Sequence, residues 1–160
     1  RRVTGDQYDM FSTDFEMENG VHLHSMCRQI DGCSNAVGEI VYGTKGSWNS
    51  FDHEIKDLAG NVIWKFNKEE QEALFKQHNP YVLEHVDAIN HIRKGEGLDE
   101  ATDCAISTLA GVMGREAAYS GATVTWDEMS QSDLDYMPEK LELGKMDMSQ
   151  HTLKTPGKAK

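Results

Sequence analysis

Asn79–Glu128, NPYVLEHVDAINHIRKGEGLDEATDCAISTLAGVMGREAAYSGATVTWDE, decides the fold class, because its spacing changes from the alternation found upstream to a helical period. Asn79 is placed to cap the first amides, and Pro80 fits the first turn, where its missing N–H has no helical partner. Val82, Val86, Ile89 and Ile92 recur at helical spacing and predict a buried stripe that ends at Gly95. The next helix, over about 99–119, has Ala105, Leu109 and Val112 on one side and Ile106, Ala110, Met113 and Ala117 on another. A helix apolar over most of its girth is expected to be covered on both sides. Gly111 and Gly114 each cost about 1 kcal/mol relative to Ala inside a helix, which predicts close approach of another backbone. Gly121 stops that helix, and Thr125-Trp126-Asp127-Glu128 is a capping box opening a short third one.

Upstream, Asn67 with Glu70 three residues on predicts a helix over 68–77. Before it the chain reads as strands. Phe11, Thr13, Phe15 and Met17 alternate with Ser12, Asp14 and Glu16 before Asn19-Gly20, a hairpin whose loop length sets the register. A three-residue Glu18-Asn19-Gly20 loop, with Gly20 left-handed, pairs Met17 with Val21, Phe15 with Leu23 and Phe11 with Cys27. It gathers the apolar side chains on one face. Further strands are predicted at 36–42, 47–51, 54–58 and 62–66, separated by Gly43-Thr44-Lys45-Gly46 and Ala59-Gly60-Asn61. The fold class that follows is α+β, an open, mainly antiparallel sheet with helices packed on one face. One domain is expected over 1–138 and an extended C-terminal tail over 139–160, where periodicity is lost. Trp48, Trp64 and Trp126 are expected in the core.

A net charge of −11 excludes a basic face for nucleic acid or anionic membrane, so neither is expected as a partner. No run of about 18 apolar residues is present to span a bilayer. Cys27, Cys33 and Cys104 are odd in number and match no zinc or redox spacing, although a Cys27–Cys33 bridge stays open. His22 and His24 share a strand face near Glu16 and Glu18, but without a third compact ligand no metal is expected there.

The Asn-Pro-Tyr helix start, the Ile92-Arg93-Lys94-Gly95 helix end and the run from Gly114 to Glu128 resemble the C-terminal end of the Gfo/Idh/MocA oxidoreductases. Phe15–Gly32 and Val41–Trp48 look like strands of the same family. The resemblance implies the C-terminal part of a larger enzyme that binds NAD or NADP on an N-terminal Rossmann domain and acts on a sugar or polyol. That domain's G-x-G-x-x-G turn is missing from these residues: Gly95-Glu96-Gly97 follows a helix and reads as its stop. No cofactor, catalytic residue or activity is therefore expected in this chain alone.

What the resemblance leaves to this part is one wall of a substrate pocket. Arg28 and Gln29, ending the second hairpin strand, offer a forked cation and an amide suited to hydroxyls or a carboxylate. His78, Tyr81 and His85 lie where a loop runs into a helix near the substrate in the resembled enzymes. The open sheet face, with Ile40, Tyr42 and Ile63, is the expected surface for a homo-oligomer. The rival reading is a self-contained interaction or oligomerisation module without catalysis.

Overall fold

A computed structural model describes residues 6–76, 79–137, 140–145, 149 and 151–157. Its order is β1 (Met10–Glu16), β2 (His22–Arg28), β3 (Ile40–Gly43), β4 (Gly46–Asn49), β5 (Glu54–Asp57), β6 (Val62–Lys65), α1 (Lys68–Phe75), α2 (Pro80–Lys94), α3 (Ala101–Ser120) and α4 (Trp126–Ser130). The fold is α+β with open antiparallel sheets: a two-stranded β1-β2 and a four-stranded β3-β4-β5-β6. Within the stretch read from sequence as one domain, packing marks two compact units, Arg1–Gly32 with Glu100–Lys160, and Cys33–Asp99.

In the first unit the hairpin adopts the three-residue loop. Phe11 pairs with Cys27 and Phe15 with Leu23, Met17 N–H donates to the Val21 carbonyl at 2.9 Å, and Gly20 has φ +75°. A register slipped by one residue would turn Phe11 and Phe15 away from α3. Instead these two residues, with Thr13 between them, form the half-buried face of β1. Phe15 closes on Gly114 of α3, where an added Cβ would stand 2.6 Å from the ring tip. The approach that Gly114 permits is thus by a side chain, not by a backbone, and Gly111 faces open space.

Tyr8 stacks edge-on against Tyr119 (4.8 Å, 87°) and lies 5.6 Å from Phe11, extending the contact toward the end of α3. Burial pushes the Tyr119 hydroxyl above its ordinary range. Gly121 ends α3 at φ +70°, and α4 starts with the reciprocal Thr125–Glu128 capping box, whose Thr125 amide donates to the Glu128 carboxylate at 2.8 Å. Met129 on α4 is the buried apolar residue among those described. The two-sided cover expected for the helix is therefore partial, since Ile106 is exposed and only Gly114 of α3 is fully buried. Residues 151–157 carry no helix or strand but are tied down. Tyr8 Oη donates to the Lys154 carbonyl at 2.8 Å, and Gly157 N–H donates to Ser120 at 2.9 Å.

In the second unit the register sets Val41, Trp48, Ile55 and Trp64 in one cross-strand row. Partners directly opposite share a face, so the sheet has an apolar side. The other side carries Glu54, which accepts from Lys65 at 2.9 Å and pairs with Lys56 at 3.2 Å; Lys65 first and then Lys56 hold its carboxyl below the ordinary range. The β5–β6 turn is an Asp57 cradle: its carboxylate accepts from the amides of Ala59 and Asn61, both at 2.9 Å. Asn67 caps α1 by accepting from Glu69 and Glu70 N–H, and Asn79 caps α2 through Tyr81 N–H at 3.0 Å. Gly95 closes α2 at φ +71°.

Two expectations fail in this unit. The α2 stripe is not buried: Val82, Val86, Ile89 and Ile92 are all exposed, because periodicity specifies an apolar face without supplying what covers it. Trp64 is 48% exposed and Trp48 half-buried, and Trp126 of the first unit is likewise exposed, so the tryptophans are not core anchors.

Candidate functional site

Two concavities stand out, one in each unit. In the second unit Gly43 and Gly46 face each other across the β3–β4 turn and leave no side chain over that end of the sheet. A hollow of about 370 Å3 opens there, walled mainly by Val41, Trp48, Ile55 and Ile63. Gly46 is required by sterics: a Cβ would lie 2.1 Å from the Lys56 carbonyl oxygen. An apolar hollow continuous with an apolar strand row is suited to receive another protein surface, since it offers few groups to orient a polar molecule.

The concavity of the first unit is different in kind. It measures about 430 Å3 and lies between α3, the 134–136 segment and the returning 151–154 segment. Arg115 stacks its guanidinium on the Tyr136 ring, 4.1 Å from the centroid, and Tyr136 Oη donates to Glu116 at 2.6 Å. Burial, and next the hydrogen bond to Glu116, push the Tyr136 hydroxyl above its ordinary range. His151 pairs with Asp6 at 3.1 Å across the opening. Arg115 Nε is buried, 3.8 Å from Glu116, and has no hydrogen-bond acceptor among the described residues. An unmet buried donor costs about 1–3 kcal/mol, so stacking on Tyr136 and the field of Glu116 must hold the guanidinium in place. Sequence reading missed this cluster. Arg115, Glu116 and Tyr119 stand in the run from Gly114 to Glu128 that carries the resemblance, within about one helical turn, but their partners arrive from far along the chain.

The residues expected at a substrate wall lie elsewhere. Arg28 and Gln29 are exposed at the end of β2, where Gln29 N–H extends the ladder by donating to the Asp9 carbonyl at 2.7 Å. Tyr81 and His85 are exposed on successive turns of α2, and the His85 ring bonds back to the Tyr81 carbonyl at 2.7 Å. Arg28 and Gln29 thus belong to the first unit, Tyr81 and His85 to the second, and none lines either concavity. His78 lies outside the described residues.

On the polar face of the hairpin His22 Nδ1 bonds Asp14 at 2.8 Å and His24 Nε2 bonds Ser12 at 2.9 Å, so each imidazole has a cross-strand partner. The Asp14 hydrogen bond, then its charge, raise the His22 pKa above 6.5. Among the described residues no group of three or more His, Cys, Asp or Glu is arranged to hold a metal, and Cys27, Cys33 and Cys104 are free thiols. No helix is long and apolar enough to cross a membrane among those residues. Gly95 is the C-cap of α2, its N–H donating to the His91 and Ile92 carbonyls. No protein-family model matches the chain, and comparisons with curated proteins and with solved structures find no match either.

Proposed function

We propose that this chain is the substrate-side, C-terminal domain of a Gfo/Idh/MocA-like oxidoreductase that uses NAD or NADP on a sugar or polyol. In this reading the nicotinamide is held by a Rossmann domain that these residues do not contain, and a second copy covers the sheet on its Val41–Trp48–Ile55–Trp64 face, opposite the face of Ile40 and Tyr42 expected from the sequence. The observation that supports it is the apolar row Val41–Trp48–Ile55–Trp64 of the second unit, in which Val41 is 56% and Trp64 48% exposed. An apolar face of that kind gains from a cover that the described residues of its own unit do not supply. Arg28, Gln29, His78, Tyr81 and His85 contact substrate hydroxyls and take no part in hydride transfer.

The test is a fluorescence titration with NADH. The 160-residue chain shows no saturable binding, whereas the same chain preceded by the residues its gene encodes upstream binds NADH and oxidises a polyol, more weakly after Arg28→Ala. Tight NADH binding by these residues alone would overturn the reading. A second reading, an interaction module without catalysis, is favoured by the same apolar row and by the exposure of Tyr81 and His85 outside both described hollows. It gains if the upstream residues lack a Gly-rich strand-turn-helix unit.

A further inference from the structure

We propose that the cover of the four-stranded sheet is α2 of a second copy, exchanged symmetrically, so that each copy lays one helix on its partner's apolar row and receives one in return. The inference rests on the second-copy part of the reading above and not on the nicotinamide or the substrate. Among the described residues two apolar surfaces of the second unit lie open, the row Val41–Trp48–Ile55–Trp64 and the α2 stripe Val82, Val86, Ile89 and Ile92. Among those residues α2 has none that is buried and is not packed on the sheet of its own copy. Each surface therefore needs a cover, and each is suited to be one.

The two surfaces match in extent. At the helical rise the stripe from Val82 to Ile92 is about 15 Å long. Strands about 4.8 Å apart carry the row from Val41 to Trp64 over about 14 Å. Area decides between the ways of joining two copies. With its side chains roughly half open, each surface offers about 300 Å2. Two sheets set face to face would bury two such surfaces, about 600 Å2, below the roughly 800 Å2 under which contacts are mostly adventitious. Exchange of α2 buries all four, about 1,200 Å2, the lower limit of specific, stable interfaces. The arrangement also closes on itself, because one two-fold axis relates the two helix-on-sheet contacts, and association stops at two copies. Glu84 and Asp87, on the opposite side of α2 from the stripe, stay in solvent.

Light scattering over a concentration series on the full 160-residue chain, with variants alone and mixed, tests the exchange. Val86→Glu charges the stripe and should weaken dimerisation at least about tenfold, with helix content by circular dichroism unchanged; Ile89→Glu gives the same reading if Val86→Glu loses helix. Val86→Leu and Glu84→Gln should leave the dimer intact. An equimolar mixture of Val86→Glu and Trp64→Lys chains should form a heterodimer at least about tenfold tighter than either variant forms with itself. In that mixture the intact helix of one chain meets the intact sheet of the other, and the introduced acid and ammonium share the remaining contact. A wild-type dimer that neither stripe variant disturbs, or a mixture that stays monomeric, would overturn the exchange while the sheet interface stands. A monomeric wild-type chain would overturn the exchange and the second copy together. None of these outcomes bears on NADH binding, so failure here is distinguishable from failure of the oxidoreductase reading.

Discussion

The two units of this chain are stabilised in different ways. In the first, side chains from distant segments interlock: Phe15 sits over Gly114, Tyr8 stacks on Tyr119, and Tyr136 joins Arg115 to Glu116. The four-stranded sheet of the second relies on its backbone ladder, the Asp57 turn and the Glu54–Lys65 pair, while its apolar row stays open, with Val41 56% exposed. Exposed ion pairs contribute little, and an apolar sheet face left in water forgoes the stabilisation that burial would bring. The first unit is therefore expected to hold its own shape, and the second to depend on what covers it.

The largest single effect should come from Gly46→Ala. The new Cβ would meet the Lys56 carbonyl oxygen, a backbone atom that cannot move without breaking the β4–β5 ladder. A loss of about 3 kcal/mol is expected, read as early hydrogen exchange in β4 and β5. Gly43→Ala, whose nearest contact would be 3.5 Å away, is the control and should be mild. If both behave alike, the close ladder packing assigned to this sheet is wrong.

Next in size are two glycines of one helix with opposite expected signs. Gly114→Ala pushes on the Phe15 ring and should destabilise the first unit by about 1 kcal/mol, overpacking outweighing the helix gain. Gly111→Ala meets nothing within 4 Å and should stabilise by up to about 1 kcal/mol. Thermal melts of the two variants should shift in opposite directions. Thr125→Ala, which removes the capping box of α4, should cost about 1 kcal/mol by the same measurement.

The smallest effect is electrostatic. Because Asp14 raises the His22 pKa in the folded hairpin, the stabilisation from that pair is complete below the unfolded imidazole value of 6.5 and disappears as pH rises through the folded one. An NMR titration should place His22 above 6.5 and return it toward that value in Asp14→Asn. An unchanged titration in the variant would mean the cross-strand bond is not formed in solution.

Local signals were legible in the sequence because their physics is local. Gly20 and the alternation of Phe11 with Phe15 specify the hairpin register, and Asn67, Asn79 and Thr125 find their amides within three residues. Burial was not legible. The α2 stripe and the tryptophans carry the pattern of core residues, but pattern states which face is apolar and not whether anything lies on it. The α3 cleft was hidden for a related reason: Arg115 and Glu116 form half of it, while Tyr136, His151 and Asp6 come from segments with no periodic signature. Arg28, Gln29, Tyr81 and His85 are expected at a substrate mainly from the resemblance, and their placement on open surface leaves their role to the substrate experiment.

Light scattering on the purified chain addresses most directly the claim that the apolar row of the four-stranded sheet is an interface. The account predicts a particle of about 36 kDa, twice the 18.0-kDa chain, that Trp64→Lys returns to monomer mass with its strand content intact. A wild-type chain that remains an 18.0-kDa monomer at high concentration, or a dimer indifferent to Trp64→Lys, would contradict it.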